Sequence, residues 1–190
     1  MKYNPEIHHR KSIRLKEYDY SQAGYYFVTI CAQNKEHLFG KINDGVMILN
    51  EFGEIVNNYI QDIPTHFPNS YFDYYCIMPN HIHLIIIIDD HSRDTACRVP
   101  TEAFGFPVSG SLPTIIRSLK SAITKRINEI RNNLRSSVWQ RNYYEHIIRN
   151  DKELYEIRNY IENNPLNWSE DEYNIQPFHP EGLLYYPFSA

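Results

Sequence analysis

The chain has 190 residues, 42% of them hydrophobic, and a net charge of −4. That is enough for one domain with a real core, while its longest apolar run, Leu84 to Ile88, is too short to span a bilayer. Three scattered cysteines, Cys31, Cys76 and Cys97, with no Cys-x-x-Cys, exclude a disulfide framework and a structural zinc site and fit a reducing cytosol; the acidic balance leaves any case for nucleic acid to local clusters.

Met1-Lys2-Tyr3-Asn4-Pro5 lacks the apolar core of a signal peptide. Residues 8–16 form a basic arm carrying Arg10, Lys11, Arg14 and Lys16. Residues 24–31, dense in aromatic and β-branched side chains, predict the first core strand. Residues 37–49 predict a short hairpin around Asn43-Asp44-Gly45. Asn50 is placed as the N-cap of an amphipathic helix over 51–63, with Phe52, Ile55, Val56, Tyr59, Ile60 and Ile63 at helical spacing and Pro64 and Pro68 ending it.

Residues 71–78 predict a second strand, Pro79-Asn80 a turn, and residues 81–88 a third strand. In that strand His81 and His83 project from one side, Ile82 and Leu84 from the other. Two imidazoles presented together make a good pair of ligands for a divalent metal. Residues 89–111 are polar and broken by Pro100, Gly105, Pro107 and Gly110, which predicts a surface insertion.

A long helix starts near Leu112-Pro113, its stripe running from Leu112 through Ile115, Ile116, Leu119, Ile123, Ile127 and Ile130 to Leu134. Arg117, Lys120, Arg131 and Arg135 fall opposite that stripe, with Glu129 the sole acid in the helix, a face suited to a phosphate backbone. Residues 138–149 predict a fourth strand or extended segment carrying Arg141, His146 and Arg149. Asn150-Asp151 caps a last helix over about 151–163, stopped by Pro165. A domain spanning 1–168, with the insertion at 89–111, is followed by a tail, 169–190, rich in Pro and Tyr.

The order strand, helix, strand, strand, helix, strand, helix predicts an α+β, ferredoxin-like fold. Its antiparallel sheet would have four to five strands with helices on one face. Tyr160 and Asn164, four apart, share a face of the last helix. A phenol can serve as a covalent nucleophile, and an amide oxygen can complete a metal shell with two histidines. In a chain with 16 tyrosines, spacing alone does not single out Tyr160.

Three stretches together carry a resemblance that covers about Arg10 to Trp168. Met78-Pro79-Asn80-His81-Ile82-His83-Leu84 resembles the His-hydrophobic-His motif of the HUH single-strand nucleases. Val138 to Arg149 and Asn159-Tyr160-Ile161-Glu162-Asn163-Asn164-Pro165 resemble the C-terminal motifs of the single-tyrosine HUH transposases, above all the REP-associated tyrosine transposase branch.

The resemblance implies a bacterial, cytoplasmic, nucleoid-associated enzyme of single-stranded, hairpin or repeat-end DNA, monomeric or homodimeric, using Mg or Mn. It implies a tyrosine attack that leaves a 5′-phosphotyrosine and a free 3′-hydroxyl. By position, Tyr160 would be the nucleophile and His81, His83 and Asn164 the metal ligands; other single-tyrosine transposases carry glutamine in the place of Asn164. Tyr143, Tyr144 and Tyr155 are the alternative nucleophiles. Arg10, Lys11, Arg14, Lys16, Arg117, Lys120, Arg131, Arg135 and Arg141 would hold DNA. Two other readings use the same residues: a non-catalytic hairpin-binding protein derived from a transposase, and a metal hydrolase that activates water.

Overall fold

The structure, a computed structural model, describes residues 18–89 and 108–174. The basic arm with Arg10, Lys11, Arg14 and Lys16, Cys97 and most of the predicted insertion lie outside the described residues. Among the described residues, six strands and four α-helices follow in the order β1 (Gly24–Cys31), β2 (Gly40–Asn43), β3 (Val46–Leu49), α1 (Glu51–Gln61), α2 (Ile63–His66), β4 (Ser70–Ile77), β5 (His81–Ile88), α3 (Leu112–Ile130), β6 (Tyr144–Ile148) and α4 (Asp151–Asn163).

The main sheet has four strands in the order β4-β5-β1-β6, with every pair antiparallel. This is the ferredoxin-like arrangement: the segment through α1 returns the chain parallel to β1 but two strands away, and β4 and β5 form a hairpin. β2 and β3 form a separate two-stranded hairpin. Its turn residues Asp44 and Gly45 both take positive φ, +50° and +74°, as a two-residue hairpin turn requires.

The expected helical layer on one face consists of α1 and α3, packed over Tyr26, Val28 and Ile30 of β1 and Ile82, Leu84, Ile86 and Ile88 of β5. α4, which follows the six elements of that layout, lies on the opposite face, over the strand that bears His81 and His83. There Leu154 and Ile161 close a second apolar cluster with Phe27, Ile85 and Ile148. The physical reason is in β5: Ile85 is as buried as the isoleucines on the first face, so the central strands need cover on both sides. Each such isoleucine contributes roughly 1.5–3 kcal/mol on burial.

Three boundaries differ from the sequence reading. Pro64 does not stop helical structure but sits in the first turn of α2, where a missing N–H costs nothing. α3 ends at Ile130, and Leu134, assigned to its buried stripe, is 81% exposed in the loop beyond. The fourth strand is shorter than the predicted 138–149 segment. Val138–Asn142 runs past the end of β1 with one bridge, Trp139 to Ala32, held by Gln33 N–H to Val138 O and Gln140 N–H to Cys31 O.

Candidate active site

The register places His81 beside Cys31 and His83 beside Thr29, on the face that α4 covers. Both rings are buried, His81 fully and His83 at 1% exposure, and their Nε2 atoms face each other at 3.0 Å. Each ring is held from behind. His81 Nδ1 lies 2.8 Å from Asn80 Oδ1, and His83 Nδ1 lies 2.9 Å from Thr29 Oγ1. The Asn80 amide nitrogen donates to the carbonyls of Tyr173 and Lys35, at 2.7 and 3.2 Å. Its oxygen is therefore the end turned to His81, so His81 Nδ1–H donates and Nε2 keeps its lone pair. A ring oriented through its second nitrogen in this way is a common support for a metal-ligating imidazole. Burial pushes the pKa of His81 down to about 2, helped by His83 and Lys35, and burial pushes that of His83 down to about 3. Both rings are neutral, the form that binds a cation.

α4 brings Tyr160 to this pair. Its hydroxyl lies 3.2 Å from His83 Nε2, while its ring stands edge-on to His83 and to Phe27. Burial raises the Tyr160 pKa to about 12, with the charge of Asp171 adding to it and a hydrogen bond from Asn164 opposing it. One turn on, Asn164 is 3% exposed, and its Oδ1 has no hydrogen-bond partner among the described residues. A buried amide oxygen without a donor is a group that a cation can satisfy, and it stands one helical turn from Tyr160.

The sequence reading packs Trp168 and a few aromatics of the tail on the core; in the structure residues 168–173 close over the two histidines. Tyr173 packs on His81 with ring centres 4.6 Å apart, and Trp168 approaches the same ring at 6.1 Å. This segment supplies Asp171, whose carboxylate lies within 4.8 Å of the ligand nitrogens of both His81 and His83. Sequence reasoning passed over Asp171 because it sits in an acidic run, Glu170-Asp171-Glu172, with no periodicity to place it. It is the one acid of the three that is partly buried.

Of the alternative nucleophiles, Tyr144 is exposed on β6, edge-on to Phe27, and Tyr155 is 66% exposed on α4. Tyr143, just before β6, packs partly buried against the larger core. Of the basic residues, Arg117, Arg135 and Arg141 are exposed. Arg131 lies with its guanidinium 4.8 Å from the ring centre of Phe52. Lys120 is engaged within the chain: its ammonium donates to the carbonyls of Gln140, Arg141 and Asn142 at 2.6, 3.5 and 3.3 Å.

Comparison with known proteins agrees with this architecture. Residues 103–164 match the IS200-like transposase family model. A Haemophilus influenzae protein without an assigned function is 44% identical over 176 residues, covering 90% of this chain and 96% of its own. A second H. influenzae protein, provisionally named a REP-associated tyrosine transposase, is 30% identical over 149 residues, covering 78% and 73%. A solved REP-associated tyrosine transposase bound to a REP hairpin superposes with a TM-score of 0.56 at 17% identity, covering 84% of this chain and 74% of the other. The fold is thus that of the tyrosine transposases of the IS200-like class. Within that class, the chain belongs to the family of REP-associated tyrosine transposases.

Proposed function

We propose that the protein is a metal-dependent DNA strand transferase acting at or near DNA hairpins, with Tyr160 as its nucleophile. The observation that carries the reading is the convergence of the Tyr160 hydroxyl, at 3.2 Å from His83, on a buried pair of neutral imidazoles. The membership of a tyrosine transposase family supports the same choice of chemistry.

His81 and His83, with the Asp171 carboxylate within 4.8 Å of their nitrogens and the unpartnered Asn164 amide oxygen, would hold Mg or Mn. Such a cation, when bound, supplies positive charge to the phosphodiester and its leaving oxygen. Tyr160 attacks the phosphorus; the phenolic O–P bond forms as the P–O3′ bond breaks. The products are a 5′-phosphotyrosine and a 3′-hydroxyl that carries the proton the phenol lost. The phosphotyrosine conserves the energy of the broken bond, so a second 3′-hydroxyl reverses the step and joins strands. Phe27 stacks on His83 with ring centres 5.5 Å apart, and with Tyr173 it walls the site with apolar surface against bulk water. Exposed Arg117, Arg135 and Arg141 give backbone phosphates places to rest.

The test is incubation of the protein with end-labelled hairpin oligonucleotides in Mn²⁺ or Mg²⁺. A denaturant-resistant adduct joining the protein to the new 5′-phosphate end, on the strand 3′ of the break, is expected. Hairpin binding with no adduct in either metal would leave a non-catalytic binder. Cleavage without covalent attachment would point to activated water instead.

A further inference from the structure

The helix that carries Tyr160 is gripped on both flanks. On one flank Arg158 forms a two-point ion pair with Asp73 of β4, Nε to Oδ2 at 2.7 Å and Nη2 to Oδ1 at 2.9 Å. On the other flank Glu153 meets His146 Nε2 of β6 at 2.6 Å and accepts from the Arg149 N–H at 2.8 Å. At about 100° per residue, Arg158 lies roughly 160° from Tyr160 around the helix, while Glu153, Tyr160 and Asn164 share a flank. Between the flanks runs the apolar stripe of Leu154, Ile157 and Ile161. Apolar contact is non-directional and leaves a helix free to roll by small angles; polar pairs on opposite flanks remove that freedom.

The sheet is modified where the first grip is made. β4 carries a bulge between Phe72 and Tyr75, so that Asp73 and Tyr74 together stand opposite Ile85, a residue of the face under α4. A regular strand would present only one of those two positions to α4. The bulge brings both. Asp73 takes the guanidinium, and the Tyr74 ring lies under it with 5.4 Å between guanidinium carbon and ring centre. A fork-to-fork pair of this kind fixes direction as well as distance.

We propose that Asp73 and Arg158 are positioning residues for the chemistry of Tyr160. Opposed by the His146–Glu153 pair, they set the roll of α4 and so hold the phenol against the two imidazoles. With side chains reaching about 6 Å from a helix axis, a roll of about 10° moves a hydroxyl by about 1 Å. A misplacement of that size at a reacting atom costs about a hundredfold in rate. The inference rests on the reading of Tyr160 as nucleophile.

The test uses the full chain with Asp73→Ala, Arg158→Lys, and the exchanged pair Asp73→Arg with Arg158→Asp. Arg158→Lys keeps the charge but loses the two-point geometry, and carries the test if Asp73→Ala fails to fold. Each single substitution is expected to slow adduct formation at saturating hairpin DNA by about tenfold to a hundredfold. Hairpin and Mn²⁺ affinities stay within about twofold, so the loss lies in the rate and not in binding. Amide hydrogen exchange in α4, measured without DNA, speeds up, and the exchanged pair recovers both rate and protection. A single-variant rate within about twofold of the unaltered chain, or a loss confined to affinity, overturns the proposal. If the unaltered chain forms no adduct, the functional reading fails instead, and unchanged exchange in the variants then sinks the clamp as well.

Discussion

The Tyr160 hydroxyl and the Nε2 of His83 lie 3.2 Å apart although 77 residues separate them in the chain. One group belongs to the helix on the far face of the sheet, the other to its second strand. A proposed nucleophile and a prospective metal ligand are thus brought within hydrogen-bond reach by a single chain.

That contact makes the first prediction simple. Tyr160→Phe removes one oxygen from a side chain that is 46% exposed, so stability stays within about 0.5 kcal/mol. Hairpin affinity is retained, and the covalent adduct falls below detection on a denaturing gel. Tyr144→Phe and Tyr155→Phe, both at exposed positions, leave the adduct intact.

The donor set predicts a graded loss of metal binding, read by titration calorimetry with Mn²⁺. His81→Ala or His83→Ala removes a ligand and abolishes measurable binding. Asn164→Ala removes the orphaned buried oxygen and Asp171→Asn the carboxylate beside the rings; each weakens affinity. Asn80→Ala touches no cation but frees the His81 ring, and weakens binding by about 10- to 100-fold. Unchanged Mn²⁺ affinity in Asp171→Asn would assign the third ligand to Asn164 alone.

The two histidines also set an acid limit on the metal-free protein. Burial lowers both pKa values, from 6.5 to about 2 for His81 and about 3 for His83, while the unfolded chain keeps ordinary histidines. Below pH 6.5 the unfolded state therefore binds more protons than the folded one. The contribution to stability is complete above 6.5 and is lost as pH falls toward the folded values. The slope is up to about 1.4 kcal/mol per pH unit for each histidine. Urea midpoints measured from about pH 7.5 down to about pH 4.5 check this, and His83→Gln should roughly halve the slope.

Lys120 and its basic neighbours separate by the same kind of accounting. Its ammonium ties the 140–142 segment to α3 through three carbonyls, so Lys120→Met costs about 1–2 kcal/mol in urea unfolding. Arg117→Ala and Arg135→Ala, both at exposed positions, change stability by less than about 0.5 kcal/mol. If they rest on phosphates, each lowers the salt dependence of hairpin affinity by about 0.7–0.9 in log–log slope. An unchanged slope would place the DNA elsewhere on the surface.

Much of this protein is local and was readable as such. The β5 boundaries, the Asn50 and Asn150 caps and the Asp44-Gly45 turn follow from neighbours within a few residues: side-chain oxygens on nearby N–H groups, β-branched runs, positive φ at two turn residues. The pairing of His81 with His83 also follows from one strand's period of two. Leu134 shows the limit, because a helical period continues in the letters after the backbone has left the helix.

Tertiary structure alone decided which partners meet. That α4 covers the second face of the sheet, that a bulge in β4 turns Asp73 to Arg158, and that Asp171 and Tyr173 fold back onto His81 are contacts between residues far apart in sequence, 85 positions in the case of Asp73 and Arg158. Such contacts depend on how two apolar faces and one sheet's register fit together in space, a quantity no single stretch of chain contains.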